Sequence, residues 1–178
     1  VLREHILDIS LEQQPGCIHD LSTPVQLMNI DQKIMLDVGC GRNCQSGYTG
    51  MDKRELPEVK VVHDAEVFPW PLDDESCGRV VMSHFVEHVK PWLQIDLLNE
   101  CWRVPEPGGL LMIATPYAAS FGYIQDPTHC SPWNEATPEY FDPDCPLYRV
   151  YEPKPWKIEA RSWVVQGTLE VAMRKREL

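Results

Sequence analysis

The chain has 178 residues, enough for one domain with a sizeable core, and its contents of 43% hydrophobic and 24% charged residues are ordinary for a globular protein. A net charge of −11, from 27 acidic against 16 basic side chains, argues against nucleic acid as a partner, because a phosphate-neutralising surface needs clustered Lys and Arg. No stretch approaches the roughly eighteen uninterrupted apolar residues of a membrane span, and the first thirty residues lack the basic-then-apolar pattern of a secretory signal.

Taken in chain order, Leu2, Ile6 and Ile9 have helical spacing, and a helix over 2–11 is expected to pack across a sheet. Residues 34–40 form the first strand, 48–52 a second, 59–64 a third, 79–83 a fourth and 110–114 a fifth. Between the last two, Val89, Leu93, Leu97 and Cys101 recur at i+4, which predicts an amphipathic helix over 89–103. Pro107-Gly108-Gly109 makes the turn into strand five. Residues 158–165 and 168–173 flank Gln166-Gly167 and read as an antiparallel hairpin closing the sheet edge. Strands alternating with helix-like segments give an α/β, Rossmann-like three-layer sandwich, mostly parallel, in a single domain over 1–178.

Residues 105–155 differ in texture. Ten of the sixteen prolines fall there, and nine of the sixteen aromatics lie in 117–156. Prolines stop regular elements while aromatics supply large surfaces, so 118–157 reads as an irregular insertion that covers a substrate pocket.

The seven cysteines are irregularly spaced, which suits reduced thiols and a cytoplasmic setting. Cys40 and Cys44 lack a second pair to complete a zinc site, so no metal is expected there. Arg174-Lys175-Arg176 reads as a solvated strand end. The chain opens on valine, which leaves room for native sequence upstream.

The chemistry concentrates at strand ends. Asp37-Val38-Gly39-Cys40-Gly41 closes the first strand with glycines that let a ligand approach the main chain. Asp52 ends the second strand, where a carboxylate can accept from both vicinal hydroxyls of a ribose. Asp64, followed by Ala65, ends the third. Strand ends on one side of a parallel sheet converge, so these residues should line one crevice.

With these residues in place, the stretch from about 34 to 117 resembles the class I S-adenosylmethionine-dependent methyltransferases. The resemblance also rests on Asp64-Ala65-Glu66-Val67-Phe68-Pro69-Trp70-Pro71, on Ser83-His84-Phe85-Val86-Glu87-His88-Val89 and on Arg103 to Gly109. It implies S-adenosyl-L-methionine as cofactor, held by Asp37, Gly39, Cys40, Gly41, Met51, Asp52, Asp64, Ala65 and Ser83. Asp37 and the Gly39–Gly41 backbone would hold the methionine moiety, Asp52 the ribose, and Asp64 with the Ala65 amide the adenine, near Phe68 and Trp70. Asp126-Pro127-Thr128-His129, Trp133-Asn134 and Tyr140-Phe141 resemble a substrate-side signature of one subgroup, which implies Tyr117, Asp126, His129 and Trp133 as acceptor-binding residues. The pattern departs at Asn43, near which a third glycine is expected, and at Cys77-Gly78, where a Phe-Asp pair is common. Only seven residues separate Gly41 from Thr49, too few for a full crossover helix, a shortening the subgroup shares.

The implied reaction moves a methyl group to an oxygen or nitrogen of a small-molecule or sugar-type acceptor. His129 is the first candidate base, since an imidazole accepts a proton near neutral pH, and His84 the second. Alternatively His129 orders its loop by bonding Asp126. Residues 84–88 also spell H-x-x-E-H, a zinc-peptidase pattern, but His84 follows directly on a strand rather than lying in a helix. A nicotinamide-dependent oxidoreductase and a non-catalytic cofactor-binding module are the remaining readings.

Overall fold

The computed structural model describes residues 33–177, so the helix expected over 2–11 lies outside the described residues. Among the described residues seven strands form one sheet: β1 (Ile34–Val38), β2 (Thr49–Asp52), β3 (Val59–Val62), β4 (Cys77–Ser83), β5 (Pro105–Pro116), β6 (Trp156–Trp163) and β7 (Thr168–Lys175). Their order is β3-β2-β1-β4-β5-β7-β6. β1 to β5 pair in parallel, and β7 runs antiparallel to both β5 and β6. The expected Rossmann-like sheet with a C-terminal hairpin is the one observed. Among the described residues no helix is long and apolar enough to cross a membrane.

Register sets the two faces. Leu36 pairs with Val80, Val80 with Leu111, and Leu111 with Met173, so these side chains form one apolar layer. That layer is closed by Leu97, Leu98 and Cys101 of helix α1 (Gln94–Arg103) and by Trp133, Phe141 and Trp156. On the opposite face, Val81, Met112 and Ala114 make a smaller cluster with Tyr48.

Two boundaries depart from expectation. The helix predicted from Val89 begins at Gln94, because Pro91 forces the preceding Lys90 into an extended conformation (ψ 135°) and a 3-10 turn over Pro91–Leu93 intervenes. β5 starts at Pro105, ahead of the predicted turn. Pairing is irregular between Cys77 and Arg79, where Gly108 takes a positive φ of 74° and lets the extra residues bulge out. No helix joins β1 to β2; residues 39–48 are a loop of turns, as the short spacing requires.

α1 also anchors the loop between β3 and β4. The Glu100 carboxylate accepts from Arg103 at 2.6 and 3.0 Å and from the Trp70 amide at 2.6 Å. Arg103 in turn donates to the carbonyls of Leu72 (2.9 Å) and Trp70 (3.3 Å). Breaking a largely buried pair leaves the surviving charge uncompensated. Arg103→Ala should therefore lower unfolding stability by about 3 kcal/mol, read by urea denaturation.

Candidate active site

A cavity of about 690 Å³ opens at the carboxyl ends of the parallel strands, within the range of small-molecule sites. Its wall includes Gly39, Met51, Asp52, Asp64 and Ala65 on one side and His84, Phe85, His88 and Thr128 on the other. The strand ends converge because β1, β2 and β4 are neighbours in one parallel sheet.

The turn after β1 hooks over β2: the Gly39 and Cys40 amides both donate to the Met51 carbonyl, at 2.8 and 3.3 Å. Gly39 has φ +68°, and a Cβ on it would come within 2.1 Å of the Phe85 ring. Glycine is required there twice over, by backbone and by neighbour. Asp37 is buried and accepts from the Gln45 amide at 2.8 Å, so its carboxylate braces the shortened crossover from inside. Cys40 is buried as well; that burial, with Asp37 beside it, pushes its thiol up to about 12, so it stays protonated. Ser83 is buried at the end of β4.

Asp52 is the most heavily bonded carboxylate of the rim. Oδ1 accepts from the Arg54 amide and Nε, both at 2.9 Å. Oδ2 accepts from the Gly41 amide at 3.0 Å and from Arg54 Nη2 at 3.1 Å. The Arg54 guanidinium, then the two amides, hold this carboxyl below the usual carboxylate range despite its burial. All four lone-pair positions are used, so a ribose can take this carboxylate only if the exposed Arg54 side chain swings away. At the end of β3, Asp64 Oδ1 caps the Glu66 amide at 3.1 Å. Glu66 binds the Lys90 amide at 2.9 Å and pairs with its ammonium, clasping the two cavity walls.

Beyond β4 the chain turns sharply. His84 has φ +53°, is held through its amide to the Ala114 carbonyl (2.8 Å), and presents a half-exposed ring to the cavity. Val86–His88 form a 3-10 turn that buries Glu87 completely. Glu87 Oε2 accepts from Thr115 Oγ1 at 3.0 Å, while His84 Nδ1 stands 3.5 Å from Oε1. The Glu87 carbonyl accepts from the amides of Cys130 and Ser131, tying the later segment to this turn.

The expected substrate-side residues are not brought together: Trp133 lines the smaller of two cavities, and Tyr117, Asp126 and His129 line neither, because their side chains are taken up by packing and by bonds within their own loops. His129 lies behind Glu87, its Nδ1 bonded to the Tyr123 carbonyl at 2.9 Å. Asp126 bonds Thr128 instead (2.7 and 2.8 Å) and is 3.8 Å from His129 Nε2, so the proposed His129–Asp126 hydrogen bond is not formed. Tyr117 donates its hydroxyl to Glu135 at 2.7 Å. Trp133 is buried, bonds Gln94 and stacks on Phe141, and lines a second cavity of about 220 Å³ beneath the proline-rich segment. From residues 118–157, Thr128 lines the larger cavity, whereas Ser131, Trp133, Tyr140, Phe141 and Tyr151 line the smaller.

Arg54, Phe85 and Lys90 shape the larger cavity without being foreseen. Arg54 carried a weak signal, its i+2 position after a strand-ending Asp, which favours a local side-chain-to-amide bond. Phe85 lay within the Ser83–Val89 stretch that carries the resemblance but had no role attached to it, and Lys90 carried no signal.

Residues 47–113 match the family pattern for the methyltransferase domain. Over 74 residues the chain is 33% identical to a probable S-adenosylmethionine-dependent methyltransferase of Mycolicibacterium smegmatis, covering 42% of this chain and 28% of that protein. The matched stretch is thus little more than a quarter of the relative's length. Among solved structures, a SAM-dependent methyltransferase from Archaeoglobus fulgidus superposes with a TM-score of 0.59 at 21% identity, covering 80% of this chain and 86% of that one. The chain has the fold of these methyltransferases. The Burkholderia thailandensis 1,6-didemethyltoxoflavin-N1-methyltransferase, solved with 1,6-didemethyltoxoflavin and S-adenosylhomocysteine, gives 0.57 at 16% identity, covering 81% of this chain and 71% of that one.

The contact between Gly39 and Phe85 is testable by a double-mutant cycle. In a Phe85→Ala background, where only the residue-85 Cβ remains, 3.0 Å away, Gly39→Ala should cost little beyond the positive-φ strain, about 1–2 kcal/mol, and clearly more in the presence of Phe85. Thermal or urea unfolding of the four proteins measures both values.

Proposed function

We propose that this protein is an S-adenosylmethionine-dependent methyltransferase acting on an oxygen or nitrogen of a small-molecule or sugar-type acceptor. The observation carrying this reading is the single cavity that joins Gly39, Asp52, Asp64 and Ala65, from three successive strand ends, to an imidazole on the facing wall. The methyltransferase-domain match over 47–113, which includes the ends of β2, β3 and β4, supports it further.

Asp52 suits the ribose once Arg54 releases it, and Asp64 with Ala65 suits the adenine edge. Gly39 offers a backbone path for the methionine moiety. The cofactor brings an already activated methyl group, so the protein's task is to align donor and acceptor and exclude water. A bound S-adenosylmethionine would supply its methyl carbon to an acceptor lone pair aligned with it and would be released as the thioether. Where the acceptor must lose a proton, His84 is better placed to take it than His129, because its ring faces the cavity while Glu87 stands behind it at 3.5 Å. The N-versus-O choice and the acceptor's identity follow from the substrate that fills the remaining volume.

Calorimetry with S-adenosylhomocysteine tests the cofactor site. Asp52→Ala should weaken binding by roughly 1.5–3 kcal/mol per charge-assisted bond lost, whereas Arg54→Ala should tighten it by freeing the carboxylate. An unchanged dissociation constant for Asp52→Ala removes that residue from the site.

His84→Asn, chosen because Asn tolerates the left-handed backbone, separates base from binder. For an acceptor that must be deprotonated, kcat should fall by about 10²-fold or more with cofactor affinity nearly intact. An equal loss in both would contradict the assignment.

A further inference from the structure

Behind the cavity wall, one carboxylate oxygen of Glu87 and one ring nitrogen each of His88 and His129 lie within 4.8 Å of one another. Glu87 is fully buried, and its Oε1 has no hydrogen-bond partner among the described residues. A buried carboxylate oxygen without a donor is costly, so its surroundings need a proton or a cation to complete them.

The nearest nitrogen, His84 Nδ1, stands 3.5 Å from this oxygen without forming a hydrogen bond, and the other two rings favour a cation. His129 Nδ1 faces the Tyr123 carbonyl at 2.9 Å, and a carbonyl only accepts, so the ring proton sits on Nδ1. Its Nε2 stands 4.0 Å from Glu87 Oε1 and 3.8 Å from Asp126 Oδ2, too far from either for a hydrogen bond, which leaves that nitrogen available to a ligand. Thr128 gives its only hydroxyl proton to Asp126 Oδ1 at 2.7 Å, so it must accept from His88 Nδ1 at 2.9 Å. That leaves the second nitrogen of His88 as a lone-pair donor too. A backbone carbonyl behind one imidazole, and a hydroxyl backed by a carboxylate behind the other, are the supports that fix metal-binding histidines. Ligand atoms around a tetrahedral ion with bonds of about 2.0–2.2 Å stand roughly 3.3–3.6 Å apart, so modest closure of the cluster would seat one.

We propose that Glu87, His88 and His129 form a site for a divalent transition metal, with two imidazoles and one carboxylate as ligands and its open side toward the large cavity. The donor set suits zinc, cobalt or manganese better than magnesium or calcium, which prefer all-oxygen ligands. His88 and Thr128 line the cavity, so an oxygen or nitrogen of the acceptor is the ligand class that would complete the coordination. This last clause rests on the methyltransferase reading; the metal site itself does not. The expectation from the sequence that no metal binds followed from His84 adjoining a strand. The ligand that the H-x-x-E-H pattern lacks comes from a distant loop instead, since His129 replaces His84.

The test uses the full chain, stripped with a chelator and titrated with Zn²⁺ by calorimetry and with Co²⁺ by visible absorption. One ion per chain is expected, with at least tenfold weaker binding in Glu87→Gln and His129→Ala. His88→Ala, at an exposed ring, serves the same purpose if a buried variant does not fold. Absence of binding overturns the proposal, and so does an ion that all three variants retain, which would lie on the thiols. S-adenosylhomocysteine titrated separately keeps the two ideas apart. A chain that binds the metal but not the nucleoside refutes the methyltransferase reading and leaves this site standing.

Discussion

The end of β2 is the point through which the cavity is organised. A buried carboxylate there has to be satisfied, and Asp52 is satisfied by the Gly41 amide from the neighbouring turn and by Arg54 from its own loop. The same set of bonds closes the β1 turn over β2 and uses all four lone-pair positions of the carboxylate. Any ligand that uses this carboxylate has to displace one of those donors, and the exposed Arg54 side chain is the one free to move. Asp37 supports the turn through the Gln45 amide and is not part of the cavity wall.

Glu87 does the corresponding work on the facing wall. Its carboxylate reaches Thr115 on β5, and its carbonyl holds the amides of Cys130 and Ser131. One buried residue thus fixes the β4 turn, the adjoining strand and the middle of the proline-rich segment relative to each other. The strained backbone at His84 is a consequence of that turn, and it is what points an imidazole into the cavity. The proline-rich segment then runs on over α1 and the edge of the core, where its aromatics enclose the smaller cavity.

Much of this was legible in the residues. Alternating apolar runs gave the strands, and glycines and carboxylates at their ends marked the rim, because parallel strands present their carboxyl ends on one side. The spacing from Gly41 to Thr49 excluded a crossover helix on length alone. What failed locally failed for local reasons: Pro91 interrupts an otherwise helical apolar pattern, and Gly108 turns a predicted reverse turn into a bulge within β5. The substrate-side residues were harder, since a segment without regular periodicity carries no signal of which wall each side chain will join.

Sequence by itself determined the order of elements, the parallel sheet with its C-terminal hairpin, and the set of polar residues at the strand ends, because periodicity and chain length act over neighbouring positions. Only the tertiary structure decided which of those groups already have partners. Arg54 on Asp52, Phe85 against Gly39, and Glu87 beside His88 and His129 are contacts set by how the loops pack over the sheet. Arg54 is only two residues beyond Asp52, but Phe85 against Gly39 and His129 beside Glu87 join residues of different elements, and no spacing rule encodes those contacts.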